Sequence, residues 1–327
     1  MFKMNITSTV KGYVTGTLSG ATWGMDTVLL GLAMTMLPFT ENPILLIGGT
    51  IVCSMLHDVF AAFWMLIIMG ARGRLKELGR AIRSRDGRFC ILGALLGGPL
   101  AMTFYLLAIS KGGAALTATV TACYPLLGSA MAVRILKEKM SLRGWVGLLI
   151  CVLGIAYIGY VPSDNSNIDV IGGIGFALIA AIGWASEAVV CGYGMKSGKV
   201  DPQMALLIRE LTSGLAYTLI VTPLLIGGYA NVVNGVSAIF SYGLCWITLV
   251  LTALLGMVSF LCWYTSINSI GASRALCLNV TYSFWAVIFG LFILGGEFSF
   301  NVVIGSIVIV LGVIVATVVS KPKCSAA

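Results

Sequence analysis

The sequence has few charged residues and a single histidine. Charged side chains make up 10% of the 327 residues, whereas 59% are hydrophobic and the mean hydropathy is +1.01. A soluble domain cannot bury so much apolar surface, but a bundle of lipid-facing helices has no need to. Because His57 has no second histidine to act with, a histidine-based metal site or catalytic triad is excluded.

The sequence motifs of enzymes and metal sites are also missing. The nine cysteines are scattered without a C-x-x-C pair, so neither a disulfide framework nor a zinc site is predicted. No Glu-x-x-His, Gly-x-Ser-x-Gly or nucleotide-binding pattern is present. We therefore expect no enzymatic activity, no metal and no cofactor. The net charge of +8 lies mostly in short loops, which indicates membrane topology rather than nucleic-acid binding.

The sequence does contain ten apolar stretches, each close to the ~20 residues with which a helix crosses a bilayer. They run over residues 12–36, 43–69, 88–109, 113–136, 144–161, 170–194, 203–227, 240–267, 272–295 and 301–319. Eighteen of the 20 lysine and arginine residues precede the first stretch or lie at or beyond the end of an even-numbered one. Because basic loops stay in the cytoplasm, both termini are predicted to be cytoplasmic.

A tryptophan paired with a carboxylate occurs twice and reveals a repeat. Trp23 and Asp26 return as Trp184 and Glu187, both displaced by 161 residues. Further equivalent positions are Tyr105 with Tyr264, Gly112 with Gly271 and Glu138 with Glu297 (displaced by 159), and His57-Asp58 with Arg209-Glu210 (152). The chain thus divides into halves at 12–161 and 170–319. Five spans per half invert the second half relative to the first, and inverted repeats around a midplane site are typical of transporters.

These features resemble the drug/metabolite transporter superfamily with its duplicated EamA-type domain. The resemblance rests on ten spans in two groups of five, on the Trp-x-x-acid pattern of spans 1 and 6, and on Glu138 and Glu297 at the ends of spans 4 and 9. It implies an all-α membrane protein of two inverted five-helix repeats that moves a small molecule by alternating access.

Several stretches resemble more closely the Lic-type bacterial choline permeases. They are residues 56–60 (LHDVF), 181–187 (AIGWASE), 206–210 (LLIRE) and 278–285 (LNVTYSFW). This resemblance implies a proton-coupled importer of choline in the bacterial cytoplasmic membrane, although no spacing in the sequence establishes choline by itself. An exporter of amino acids or cationic drugs with the same fold is the alternative, because the sequence does not indicate the direction of transport.

A quaternary ammonium ion has no N–H group, so aromatic faces and a nearby carboxylate are the groups that can bind it. The predicted binding residues are Trp23, Asp26, Trp184, Glu187, Tyr264, Tyr282 and Trp285. Glu187 lies well inside span 6, with no lysine or arginine within four residues, and a carboxylate there is costly unless it has a function. The alternatives are that the aromatic residues only pack and that the Glu187 carboxyl is protonated and hydrogen-bonded.

A second group is predicted to act in coupling or gating, and it consists of His57, Asp58, Arg209 and Glu210. Charges inside spans 2 and 7 are expensive unless they are paired. An ion pair such as Asp58 with Arg209 that locks the halves together is one interpretation, and a proton relay through His57 is another. Because both inverted halves belong to one chain, a monomer is sufficient in principle.

Overall fold

A computed structural model describes residues 6–159, 169–295 and 300–317, and every regular element in these ranges is helical. The α-helices are α1 (Ile6–Met34), α2 (Leu37–Glu41), α3 (Pro43–Ala71), α4 (Leu75–Arg83), α5 (Arg85–Leu95), α6 (Ala101–Thr121), α7 (Tyr124–Met131), α8 (Leu142–Gly159), α9 (Val170–Met195), α10 (Pro202–Ala216), α11 (Thr222–Ile226), α12 (Tyr229–Ser241), α13 (Gly243–Ile270), α14 (Ala272–Asn279), α15 (Tyr282–Leu294) and α16 (Phe300–Thr317). The π-helical turns Leu96–Leu100 and Tyr217–Val221 join α5 to α6 and α10 to α11, and a third, Ala132–Leu136, ends α7.

Within the described residues, eight helical segments are long and apolar enough to cross a membrane. They are Pro43–Ala71, Arg85–Gly113, Leu116–Leu136, Val170–Met195, Pro202–Ile226, Gly243–Ile270, Ala272–Leu294 and Phe300–Thr317. The shorter apolar helix Leu142–Ile158 and the 29-residue helix α1 correspond to the other two predicted spans. An all-helical membrane protein is confirmed, whereas ten spans in two groups of five remain a prediction. The predicted ends at 161 and 319, and Glu297, lie outside the described residues.

Local sequence explains where three of the long helices begin. Asn42 accepts hydrogen bonds from the first backbone N–H groups of α3, and Pro43 follows it at the first helical position. Asp201 followed by Pro202 does the same for α10, and Asp169 caps α9. A side-chain oxygen satisfies N–H groups that a helix end leaves free, and proline loses no hydrogen bond at this position.

Two helices between the spans differ from the prediction. α4 lies in the basic loop after the second span, and α12 occupies a segment that the apolar pattern assigns to a loop and to the start of span 8. That span begins at Gly243 rather than at residue 240. Both helices mix apolar and polar residues, so a search for continuous apolar stretches does not detect them.

The two halves of the sequence interlock. α1 packs along α13, α9 packs along α5 and α6, α8 packs along α16, and α3 packs along α10. Each of these pairings joins a helix that precedes residue 160 to one that follows residue 169. If each helix is replaced by its equivalent in the other half, the pairing of α1 with α13 becomes the pairing of α9 with α5 and α6. The pairings of α8 with α16 and of α3 with α10 stay the same. The charged residues singled out in the sequence lie where α1, α3, α9 and α10 come together.

Candidate substrate and coupling site

Six ionisable side chains from four helices meet in the interior of the protein. They are Asp26 on α1, His57 and Asp58 on α3, Glu187 on α9, and Arg209 and Glu210 on α10. None of them is more than 7% exposed to solvent. Charges at such depth in a membrane protein are costly unless they are paired, and they mark the paths of substrates, ions or protons.

Arg209 lies at the centre of this network. Its Nε is 3.2 Å from Glu187 Oε1, and its Nη1 is 3.1 Å from Asp58 Oδ1 and 2.8 Å from Glu210 Oε2. The guanidinium carbon also lies 4.1 Å from the centre of the Phe260 ring. A planar guanidinium with five N–H donors can bind several carboxylates and stack on an aromatic face at once, which a lysine ammonium cannot. The anticipated ion pair of Asp58 with Arg209 is therefore present.

His57 connects two further carboxylates. Its Nε2 lies 3.2 Å from Asp26 Oδ1, and its Nδ1 lies 3.2 Å from Asp58 Oδ1. An imidazole donates from both ring nitrogens only as the imidazolium cation, so His57 can donate to both aspartates only in its charged form. Asp58 in turn accepts a hydrogen bond from the Ser213 hydroxyl on α10.

Each half of the chain supplies one acid–base–acid triad. His57 bridges two aspartates in the first half, and Arg209 bridges two glutamates in the second. Four carboxyl groups therefore face two basic groups, and the cluster has two excess negative charges when all six are ionised. A proton or a cation for each excess charge restores neutrality, which a medium of low dielectric constant favours.

Two glycines in the π-helical turn Leu96–Leu100 leave space for these polar groups. A Cβ atom at Gly97 would overlap the Glu187 carboxylate, and one at Gly98 would overlap the Ser213 hydroxyl. The π-helical turn thus brings backbone without side chains against the network. Such turns occur frequently at functional sites, where they re-aim a helix locally.

One group of aromatic rings surrounds Trp184. Its ring centroid lies 5.4 Å from that of Tyr105 and 6.1 Å from that of Tyr124. Tyr282 begins α15, three residues after Asn279, and no ring contact joins it to these rings within the described part of the chain. Tyr124 also donates a hydrogen bond to Asn279 Oδ1 at 3.2 Å, which fixes its ring. All four rings are half-buried, so part of each remains accessible.

A second aromatic group lies beside the charged network. Trp23 meets Phe260 edge-on with 5.2 Å between ring centroids, and it lies 6.4 Å from the His57 ring. Phe260 is the ring that stacks under the Arg209 guanidinium. Trp23 therefore belongs to the wall of the ion-pair network, and no direct ring contact joins it to Trp184 among the contacts of the described residues.

Tyr264 and Trp285 have different surroundings from the other predicted binding residues. Tyr264 is fully buried and donates a hydrogen bond to Glu187 Oε1 at 3.0 Å, so it positions that carboxylate. Trp285 stacks on Phe289 at 6.0 Å, and a Cβ atom at Gly24 would collide with its Cβ. Trp285 thus lies at the contact between α1 and α15, close to the segment that carries Trp23 and Asp26.

Comparison with known proteins identifies the family. The model of the EamA-like transporter family matches residues 10–160 and matches again at residues 171–318. The chain belongs to this family. Protein LicB of Haemophilus influenzae is 26% identical to the transporter over 280 residues, which cover 85% of this chain and 87% of that protein. A solved structure described as a crystal structure of a protein has a TM-score of 0.66 at 15% identity and covers 95% of this chain and 97% of its own, a likeness of fold alone.

For this EamA-type transporter, sequence reasoning found the ionisable residues but missed several partners. Glu187 has no basic neighbour along its own helix, yet the fold supplies Arg209 from α10. Ser213 lies one helical turn beyond Arg209 on the same face, a spacing that could have drawn attention to it. Tyr105 could have been found as the repeat equivalent of Tyr264, whereas nothing in the sequence singles out Phe260.

The transporter also has a cavity of about 1420 Å³ at the end that carries most basic residues. Basic residues that line it are Lys137, Lys139, Lys196 and Arg274. At its edge the Glu138 carboxylate accepts hydrogen bonds from the backbone N–H groups of Ala272 and Ser273, at 2.7 and 3.0 Å. Gly271, with φ of +92°, leaves room for that carboxylate. Glu138 therefore ties the segment after α7 to the start of α14.

Proposed function

We propose that this transporter imports choline, or a closely related quaternary amine, together with a proton across the bacterial cytoplasmic membrane. The observation that carries the proposal is the position of Trp184, which lies between two tyrosine rings and one helical turn from Glu187. Accessible aromatic faces beside a carboxylate suit an organic cation that has no N–H group to donate.

The ring group offers enough interaction energy for selective binding of an ammonium ion. A cation over an aromatic face gains about 0.5–2 kcal/mol, with the larger values at desolvated sites. Trp184 and its two tyrosine neighbours supply three such rings, and we propose Tyr282 as the fourth. The four stretches that resemble Lic-type choline permeases include Trp184 and Tyr282, and this resemblance supports choline over other cations.

The charge of the ion-pair network supports co-transport with a proton. With all six groups ionised, the cluster has two more negative charges than Arg209 and His57 can balance. One quaternary ammonium ion and one proton together neutralise it, and a neutral site can be enclosed away from water at lower cost than a charged one. We therefore infer a ratio of one proton for each choline, with Glu187 as the carboxylate nearest to the ammonium and no metal or cofactor involved.

Alternating access follows from the arrangement of the halves in this proposal. Residues 12–161 and 170–319 form inverted five-helix repeats, both termini face the cytoplasm, and one chain contains the complete site. The pair of Asp58 with Arg209 joins the halves, so a rocking motion must lengthen and re-form it. Binding of the ammonium ion beside Glu187 changes the competition for Arg209 and so couples the substrate to this motion.

The substrate is tested by ligand-induced thermal stabilisation of the purified protein. Choline should raise the unfolding temperature as its concentration rises, because a ligand that binds the folded state stabilises it. Trp184→Ala should require an about 3- to 30-fold higher choline concentration for the same rise, since it removes one ring. Trp145→Ala on α8 is the matched control and should respond like wild type. A folded protein that responds to a neutral amino acid and not to choline would refute the substrate.

Direction is tested by growth of cells that express the transporter. An importer restores growth to a strain that depends on external choline at low concentration. An exporter of the same fold instead confers resistance to a toxic organic cation. Resistance without rescue would overturn import while leaving the family assignment intact.

A further inference from the structure

We propose that Glu210 carries the coupled proton, an inference that rests on the proton-coupled transport proposed above. Glu210 is fully buried, and its Oε2 binds Arg209 while its Oε1 has no hydrogen-bond partner. Among the described residues that have an unpartnered buried side-chain oxygen or nitrogen, Glu210 is the one with an acidic side chain. A bare carboxylate oxygen away from water is costly, whereas a carboxyl group that has taken up a proton avoids much of this cost.

The packing of α3 against α10 indicates which residue lies opposite Glu210, and the relative direction of the two helices is the first step. Arg74, just after the end of α3, donates to Gln203 at the start of α10 at 3.2 Å. Gly48, near the start of α3, faces Ile226 at the end of α11. The two helices are therefore antiparallel, so a step forward along one corresponds to a step back along the other.

The register between these helices places an alanine opposite Glu210. Asp58 on α3 pairs with Ser213 on α10, and Gly214 lies against the backbone of Asp58 and Val59, so these turns of the two helices are level with each other. Three residues forward from Asp58 is Ala61, and three residues back from Ser213 is Glu210. Ala61 is fully buried and has a methyl group where Ser213 has a hydroxyl.

The internal repeat leads to the same pair of residues. Ala61 and Ser213 are displaced by 152 positions, as are His57 and Arg209, so they are equivalent in the two halves. The equivalents Asp58 and Glu210 thus receive different neighbours. Asp58 accepts a hydroxyl hydrogen bond that stabilises its ionised form, and Glu210 receives none. This difference between the halves assigns the proton to Glu210 rather than to Asp58.

Every element around Glu210 contributes to its charge environment. Arg209 on the same helix and His57 and Asp58 on α3 face it, Glu187 on α9 and Tyr264 on α13 lie on the far side of the guanidinium, and the π-helical turn after α5 brings Gly97 and Gly98. A proton on Glu210 removes one of the three carboxylates that compete for Arg209. It therefore strengthens the contact of Arg209 with Asp58, the ion pair that joins the halves.

The first experiment separates coupling from binding. Proteoliposomes with the membrane potential held at zero and an inward gradient of one pH unit should accumulate choline about tenfold when one proton moves with each choline. Glu210→Gln keeps the shape of a protonated carboxyl, so it should exchange labelled choline across the membrane but reach no accumulation. Accumulation by Glu210→Gln equal to that of wild type would overturn the assignment.

The second experiment does not depend on the stability of that variant. Ala61→Ser places a hydroxyl at the level of Glu210, where it can donate to the ionised carboxylate and stabilise it, so the pH dependence of uptake should move about one pH unit to the acid side. Ala71→Ser adds the same group at the exposed end of α3, about three helical turns further on, and should leave the profile in place. Identical profiles for both serine variants and wild type contradict the proposal. A wild-type protein that fails to accumulate choline under the gradient refutes the proposed function instead.

Discussion

At the scale of single residues, the buried charges persist because their neighbours either carry opposite charge or carry no side chain. Arg209 is held by three carboxylates and by the Phe260 ring. Gly97 and Gly256 lie against Glu187 and against the His57 ring, respectively, where a methyl group would intrude. A side chain added at either glycine should therefore disturb the ion pairs as well as the local packing.

Gly97→Ala tests this dependence directly. The added Cβ overlaps the Glu187 carboxylate, which is also bound to Arg209 and Tyr264 and cannot move freely. We expect a loss of about 1–3 kcal/mol in unfolding free energy, the usual cost of overpacking, together with the loss of most choline uptake. Thermal unfolding and initial uptake rates measure the two effects.

The matched control is Gly175→Ala on the same helix as Glu187. A Cβ at Gly175 meets nothing within 4 Å, and the residue is exposed on the helix surface. This substitution should preserve uptake and should raise or maintain stability, because alanine favours the helix over glycine. If both variants behave alike, the space beside Glu187 has no special role.

At the scale of helices, hydropathy located the spanning elements closely and the packing between them not at all. The predicted stretches 43–69 and 170–194 correspond to the observed helices Pro43–Ala71 and Val170–Met195. The repeat also singled out all six ionisable residues of the network, because such residues are rare in apolar spans, but it did not predict that they meet in two triads. The bond between Glu187 and Arg209 joins residues 22 positions apart on different helices, so it depends on how α9 meets α10. The π-helical turns and the role of Ser213 depend on packing in the same way.

The start of α10 gives a pH-dependent prediction at a helix end. Partial burial would raise the pKa of the Asp201 carboxyl, but hydrogen bonds from Arg74 and from the Met204 backbone outweigh burial and hold that pKa below its ordinary value of 3.8. A lowered pKa contributes stability above the ordinary value and loses it as pH falls through the lowered one. Asp201→Asn keeps the helix cap, so it should be less stable than wild type near neutral pH and equally stable at low pH.

Thermal unfolding of the wild type and of Asp201→Asn, from neutral to low pH, measures the difference in their stability. Asp169→Asn is the control, since it also changes a capping aspartate but one whose 3.7 Å pair with Lys111 is about half exposed. Exposed pairs of this kind contribute little, so the control should differ from wild type by only a small amount. A constant deficit of Asp201→Asn at every pH would assign its effect to the cap instead of the charge.

At the scale of the whole molecule, contacts between loops agree with the alternating topology. Loop contacts join Asn42 with Asn234 and Lys111 with Asp169 at one end, and Arg74 with Asp201, Asp86 with Ser197 and Glu138 with Ser273 at the other. Each pair joins two loops that lie on the same side of the membrane if the chain crosses it ten times. The second set lies among the basic loops, which the distribution of lysine and arginine assigns to the cytoplasm.

Cysteine labelling in cells tests this topology in both halves. In a background without native cysteines, Lys111→Cys and Asn234→Cys should react with a membrane-impermeant maleimide in intact cells. Arg83→Cys and Lys199→Cys should react only after the membrane is permeabilised, because their loops are basic and exposed at the other end. Agreement within each pair requires the second half to be inverted relative to the first. Labelling of Asn234→Cys from the side of Arg83→Cys would contradict the inverted repeat and remove the symmetry argument that equates Ala61 with Ser213.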